Sequence, residues 1–419
     1  MILINGQLRP DNEQNVIIDG LYPILCQTLS EHKPPQAETV IAACDRLAAR
    51  VLEGEFDDVV LPLLESFDIS YERFVQMAAL FTREGLEAKC RAEFPPDEER
   101  FEGLVRRRAP LGVLMHIAAG NVDGLPAYSV VEGLLAGNIN LLKLPAGDSG
   151  ISIRLLSELV REEPSLAPYI YVFDVPSTET VTLTKLAALS DAVVVWGGDT
   201  AVKAARSLAD VTTRIIAWGH KLSFAYATPS ATDDELEALA DHICQTEQVL
   251  CSSCQGIFLD TESEEVLRTF GKRFFEILRR VSGERKPADY GMRAKNAIQL
   301  YNEALEKHRT GNTVLSGDGV SVIVSGDSEL ALSYMFRSVW VKRLSREHIV
   351  SGLKHHKNHL QTVAILCGEE ERNSLLDAFL AVGVTRITGA GDMSDMRSGE
   401  SHDGVLPLRE YSRLVDIFQ

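Results

Sequence analysis

Apolar residues recur at helical spacing through "AETVIAACDRLAARVLEG" and "YERFVQMAALFTREGLEAKC", which predicts that residues 35 to 90 are helical. The next stretch, "RAEFPPDEERFEGLVRRRAP" (91–110), is charged and contains prolines, and it reads as a connection. From 111 to 227 short apolar runs such as "LGVLMHIAA", "INLLKL", "YIYVFDV", "DAVVVW" and "RIIAW" alternate with helical patterns. Apolar strands separated by helices predict crossover units and a mostly parallel sheet covered on both faces. This is the pattern of a doubly wound α/β domain.

A second alternating block follows. It contains the helix "DELEALADHICQTE", the strand "GIFLD", the helix "EEVLRTFGKRFFEILRRV", strands near 319–324 and 337–342, the strand "TVAIL" and the helix "LLDAFLAVG". The closing stretch "TRITGAGDMSDMRSGESHDGVLPL" is rich in Gly, Ser and Asp and reads as too polar for core. The expected division is residues 1–221 for N-terminal helices and a dinucleotide-binding domain, 222–400 for a second α/β domain, and 401–419 for a returning tail.

Charge narrows the set of partners. Sixty acidic residues against 42 basic ones give a net charge of −18, which repels phosphate backbones and anionic lipid surfaces. The one compact basic run, "RRR" at 106–108, reads as a solvated surface feature, so neither nucleic acid nor membrane is expected as a partner. The N-terminal segment lacks a basic start followed by an apolar core, and no apolar run approaches the ~18 residues of a membrane span. A cytoplasmic protein with seven reduced, scattered cysteines is expected.

Neither G-x-x-x-x-G-K-[ST] nor a helix-opening G-x-G-x-x-G is present, so a dinucleotide site must be built another way. "HIAAGNVDGLP" places Asn121 between a strand and a helix, where its amide could donate to an oxyanion or simply cap the helix. "AGNINLLKLP" ends a strand on Lys143, placed to reach a cofactor or to face solvent. "VVVWGGDTAV" gives a strand, the Gly197–Gly198 turn, and then Asp199, Thr200 and Val202 at a helix start that offers N–H groups to phosphate.

"TEQVLCSSCQG" allows three readings. His242, Cys244, Cys251 and Cys254 supply four zinc ligands by type, but the first two stand at i, i+2 on a helix and face different ways, so no metal site is expected. A C-x-x-C redox pair normally opens a helix, and this one runs into a strand. The third reading is one nucleophilic thiol with a packed neighbour.

Together these stretches resemble the aldehyde dehydrogenase superfamily, and within it the acyl-CoA reductases of the bacterial bioluminescence type. The resemblance runs from about residue 105 to 419 and implies an aldehyde dehydrogenase-like α/β fold with a cofactor-binding domain and a catalytic domain. It makes Asn121 of "PLGVLMHIAAGNVDGLP" the oxyanion donor and Lys143 the cofactor-ribose contact. Gly198, Asp199, Thr200 and Val202 become the cofactor turn. "QVLCSSCQ" is similar to the reductases' "C-S-S-P-Q", which gives Cys251 the nucleophile's role and puts Cys254 where proline is usual. In "AWGHK" (217–221), Ala217 stands where oxidising relatives carry a water-activating glutamate. The family's "E-x-F-G-P" is not recognisable; "FRSVWV" occupies its region.

The implied activity is reduction of an acyl thioester to an aldehyde through a Cys251 acyl-enzyme, with His220 assigned to protonate the leaving thiolate or the hemithioacetal oxygen. The expected cofactor is NADPH, oxidised to NADP+, with NADH permitted. The expected partners are acyl-CoA or an acyl-carrier thioester, a second copy of the chain in a homodimer or larger assembly, and an acyl-transferring enzyme. The rival readings are a γ-glutamyl phosphate reductase-like enzyme and an inactive scaffold relative.

Overall fold

In the computed structural model, which describes residues 1–66, 70–120, 124–287, 290–306 and 311–418, the chain forms two units. The first comprises Met1–Gly219 and Met396–Gln419, the second His220–Asp395.

The first unit is built on β1 (Ile2–Ile4), β2 (Gln7–Arg9), β5 (Val113–Ile117), β6 (Ile139–Lys143), β7 (Ile170–Phe173), β8 (Ala192–Trp196) and β9 (Arg214–Trp218). They lie in the order β2-β1-β7-β6-β5-β8-β9, with β5 to β9 all parallel. Nearly every residue of β5 to β8 is buried, which explains their unbroken apolar runs: helices cover both faces. The chain steps from β5 outward to β7 and then returns to the other side of β5 with β8. Open sheets bind ligands at the carboxyl ends of their strands where the order reverses, here between β5 and β8.

Two features differ from the sequence expectation. Residues 91–110 are not a plain connection: β3 (Glu98–Phe101) and β4 (Leu104–Pro110) form a hairpin, and β17 (Ser412–Phe418) pairs antiparallel with β4. The three arginines of β4 each hold an acid, Arg106 with Asp416, Arg107 with Glu98 and Arg108 with Asp97, so the run is neutralised locally. The closing stretch is not wholly outside the core either. Met393 and Leu408 are fully buried, as is Tyr411 just beyond. Leu408 N donates to Glu93 Oε2 and Arg409 Nε to the Glu93 carbonyl, so the tail docks through hydrogen bonds to Glu93 together with a few separate buried side chains and not through an apolar run.

The second unit carries β10 (Leu222–Ala227), β11 (Cys254–Leu259), β12 (Thr313–Gly317), β13 (Val320–Ser325), β14 (Ser338–Arg343), β15 (Leu360–Leu366) and β16 (Arg386–Thr388). Their order is β12-β13-β14-β11-β10-β15-β16, parallel except for the β12–β13 pair. Among the described residues no helix is long and apolar enough to cross a membrane.

Candidate active site

Cys251 sits in the turn between helix Asp233–Thr246 and β11, at the amino end of that strand. The helix ends in two left-handed residues, Glu247 (φ 46°) and Gln248 (φ 64°), which swing the chain out of its axis. Hydrogen bonds then fix the turn on each side of Cys251. Its carbonyl accepts from Ser223 Oγ at 2.7 Å, and Ser223 Oγ in turn accepts from Thr362 N. Leu250 N donates to Ser253 Oγ at 3.0 Å, and Cys254 N donates to His242 Nε2 at 3.2 Å. Gln248 Nε2 donates to the Cys254 carbonyl and to Ser333 Oγ, while Gln255 Nε2 donates back to the Gln248 carbonyl.

The two cysteines that match in sequence differ in surroundings. Cys251 is exposed, whereas Cys254 is wholly buried at the start of β11. Burial pushes the Cys254 thiol up to about 12, and its Sγ donates to the Gly256 carbonyl at 3.3 Å. A protonated, buried thiol is a packing group. The zinc alternative fares no better. His242 spends Nε2 on the Cys254 amide, Cys244 packs into the core, and these four residues do not form a metal-type cluster among the described residues.

His220 begins the second unit just before β10, so it lies at the same amino edge of the sheet as Cys251. Its carbonyl accepts from His359 Nδ1 at 3.0 Å, and the two rings lie 6.0 Å apart.

The residues expected to hold the cofactor lie in the first unit at the carboxyl edge of its sheet. Lys143 closes β6 with Nζ donating to Ser177 Oγ at 3.0 Å; burial lowers its pKa, and the nearby Asp174 carboxylate opposes that shift. Gly198 precedes helix Asp199–Leu208, and Asp199 and Thr200 are exposed at its first turn. A side chain at Gly197 would meet Ala201 at 2.9 Å, but one at Gly198 would enter open space. Local packing therefore explains the first glycine and leaves the second free to admit a ligand. Val202 is half-buried one turn on, and Ala217 presents an exposed methyl from β9. Asn121 lies outside the described residues.

The same edge holds residues that the sequence did not single out. His402 packs against Trp196 and Trp218, with ring centroids 5.1 and 5.0 Å away, at the ends of β8 and β9. Reciprocal backbone hydrogen bonds with Val405 hold it there, and the Asp403 carboxylate stands 3.8 Å from Nε2. Beneath, Trp196 Nε1 donates to Ser129 Oγ, which meets His116 Nδ1 at 2.7 Å, while His116 Nε2 meets Asn140 Oδ1 at 3.0 Å. Asn140 Oδ1 can only accept, so Nε2 carries the proton and Nδ1 accepts from Ser129. The "HDG" of the tail was the available signal for His402, but nothing local said what it packs against.

A model of the acyl-CoA reductase (LuxC) family matches residues 33–414. The chain belongs to this family. It is 26% identical to the long-chain acyl-protein thioester reductase of Vibrio harveyi over 322 residues, covering 74% of this chain and 65% of the relative. The enzyme of the same name from Aliivibrio fischeri is 27% identical over 317 residues, with 73% and 64% covered. The chain thus spans a little under two-thirds of the length of these LuxC-family relatives. Among solved structures, an NAD-dependent aldehyde dehydrogenase from Sinorhizobium meliloti superposes with a TM-score of 0.75 at 14% identity, covering 100% of this chain and 94% of that one. Lactaldehyde dehydrogenase from Escherichia coli gives 0.73 at 13% identity, covering 100% and 98%. The fold is aldehyde dehydrogenase-like.

Proposed function

We propose that this LuxC-family protein reduces an acyl thioester to an aldehyde with a nicotinamide cofactor, using Cys251 as the acyl carrier. The observation that carries the reading is the contrast between an exposed Cys251 on a turn fixed from each side and a buried, protonated Cys254. The Cys251 thiolate attacks the thioester carbonyl, the C–S bond to the donor thiol breaks, and a Cys251 thioester forms. Asn121, by the family resemblance, donates to the oxyanion, a contribution of about 3 kcal/mol in comparable sites. The open space over Gly198, the exposed helix start at Asp199 and the Lys143 amine fit a dinucleotide. A reduced nicotinamide, when bound, supplies the hydride that brings the acyl carbon to the aldehyde level. Breaking the Cys251 C–S bond then frees the aldehyde and regenerates the thiolate. Ala217, lacking a carboxylate, leaves no base at that position to drive hydrolysis of the acyl-enzyme.

The names of the relatives favour a long-chain acyl group on a protein thioester; acyl-CoA is the second donor to test. For the cofactor, the family resemblance favours NADPH, while Asp174 beside Lys143 favours a free 2′-hydroxyl and hence NADH. A homodimer is supported by β17, whose Leu414, Val415, Ile417 and Phe418 are exposed on a three-stranded sheet. The deciding experiment incubates the protein with acyl-CoA of several lengths, acyl-carrier thioesters and γ-glutamyl phosphate, each with NADPH or NADH. Aldehyde formation and mass-spectrometric detection of an acyl group on Cys251 are expected with a thioester. Turnover only with the acyl phosphate, or acylation that persists in Cys251→Ala, would sink the proposal.

A further inference from the structure

Away from the cysteine turn, the second unit holds a cluster that the proposed reaction does not use. Glu329, His355 and His356 each bring one ligand-type atom to within 4.8 Å of the others. His355 Nε2 lies 3.7 Å from Glu329 Oε2, and the two imidazole rings face one another with centroids 4.1 Å apart. Donors bound at 2.0–2.1 Å around a tetrahedral zinc stand roughly 3.3 Å from one another, so side-chain adjustments of about 1 Å bring these three to bonding distance.

The backbone that presents them is already fixed. Glu329 N donates to Asp327 Oδ1 at 2.9 Å, and the Glu329 carbonyl accepts from Lys342 Nζ at 2.8 Å. The histidines follow Leu353, which is fully buried, and precede Lys357, whose left-handed φ of 45° turns the chain. His356 Nε2 is buried and has no hydrogen-bond partner among the described residues. A buried imidazole nitrogen without a partner is the kind of group that an ion or an ordered water satisfies.

We propose that Glu329, His355 and His356 bind a divalent cation of the zinc and cobalt class, with water completing the coordination. Two imidazoles and one carboxylate suit a borderline metal; calcium and magnesium take oxygen ligands. The ion would tie the loop before β14 to the segment Lys354–His359. That segment also holds the start of the unit, since Lys221 Nζ donates to the Asn358 carbonyl at 2.7 Å and His359 Nδ1 to that of His220 at 3.0 Å.

The test is titration of the full, metal-stripped chain with cobalt(II), read by absorption and by equilibrium dialysis, followed by competition with zinc. One equivalent is expected, with ligand-field bands, no thiolate-to-cobalt charge transfer, and displacement by zinc. Glu329→Gln and His355→Ala alter exposed side chains and should each weaken binding at least about tenfold, while the metal-free melting temperature stays that of the parent. The absence of a saturable equivalent, an equivalent unchanged in both variants, or thiolate charge-transfer bands marking cysteine ligands would each overturn the assignment.

Discussion

Arg337 donates to Glu247 Oε1 from two nitrogens, Nε at 3.0 Å and Nη2 at 2.6 Å, just ahead of Cys251 in the chain. The same guanidinium reaches Ser282 Oγ at 2.8 Å and the Lys286 carbonyl at 2.7 Å, and Phe336 N donates to the Glu247 carbonyl. Met335, Phe336 and Arg337 all have left-handed backbones, as do Glu247 and Gln248, so one ion pair joins two strained segments. Arg337→Ala removes the guanidinium from a pocket where Arg337 is only 2% exposed, and it should lower stability by about 3 kcal/mol in urea denaturation. Arg337→Lys keeps the charge but not the fork and should fall between. In both, the rate of Cys251 alkylation should change, a readout that a purely structural pair far from the turn would not move.

Native alkylation with iodoacetamide should modify Cys251 and spare Cys254, whose thiol is buried and held near pKa 12. In denaturant both should react. Peptide mass spectrometry reads the two sites separately, and fast native labelling of Cys254 would contradict the asymmetry on which the proposed mechanism stands.

His116 gives a pH signature. Burial depresses its folded pKa to about 4, against an ordinary value of 6.5. Between these values the unfolded chain binds a proton that the folded chain does not, so stability falls as the pH drops. The contribution is intact above pH 6.5 and declines by about 3 kcal/mol as pH 4 is reached. His116→Gln, which can still bond Ser129 or Asn140, should flatten that part of the pH–stability curve. An unchanged slope would show that another group sets it.

Lys143→Met should raise the KM for the nicotinamide cofactor about tenfold with a smaller effect on kcat, the mark of a binding contact. Asp174→Asn, which removes the carboxylate beside Lys143, should shift preference towards NADPH by about fivefold to tenfold, equivalent to roughly 1 kcal/mol. Initial-rate kinetics with both cofactors checks each variant.

Much of the fold was legible because the central strands of both sheets are buried on each face and so read as continuous apolar runs. β3, β4 and β17 were not, because they are charged and only partly buried, and β17 finds its partner β4 from far along the chain. Arg106 meets Asp416, and nothing within reach of a local pattern links residues so far apart in sequence. The cysteine turn shows the same boundary. Spacing made Cys251 and Cys254 equivalent, and only the family resemblance chose between them from sequence. Their burial differs for a reason of three-dimensional packing: Cys254 opens a strand that lies between β10 and β14. Asp174 and His402 were missed for a related reason. Each becomes a site neighbour only when separate strands end side by side.

The docking of Leu408, Tyr411 and β17 against the first unit has a consequence for synthesis on the ribosome. The whole of the second unit, residues 220–395, lies in the chain between β4 and its partner strand, so β4 waits for that partner until those residues have been made. The half of the protein that starts first therefore finishes second, and until translation passes Ser412–Phe418 one edge of β4 is exposed to any other strand in the cell.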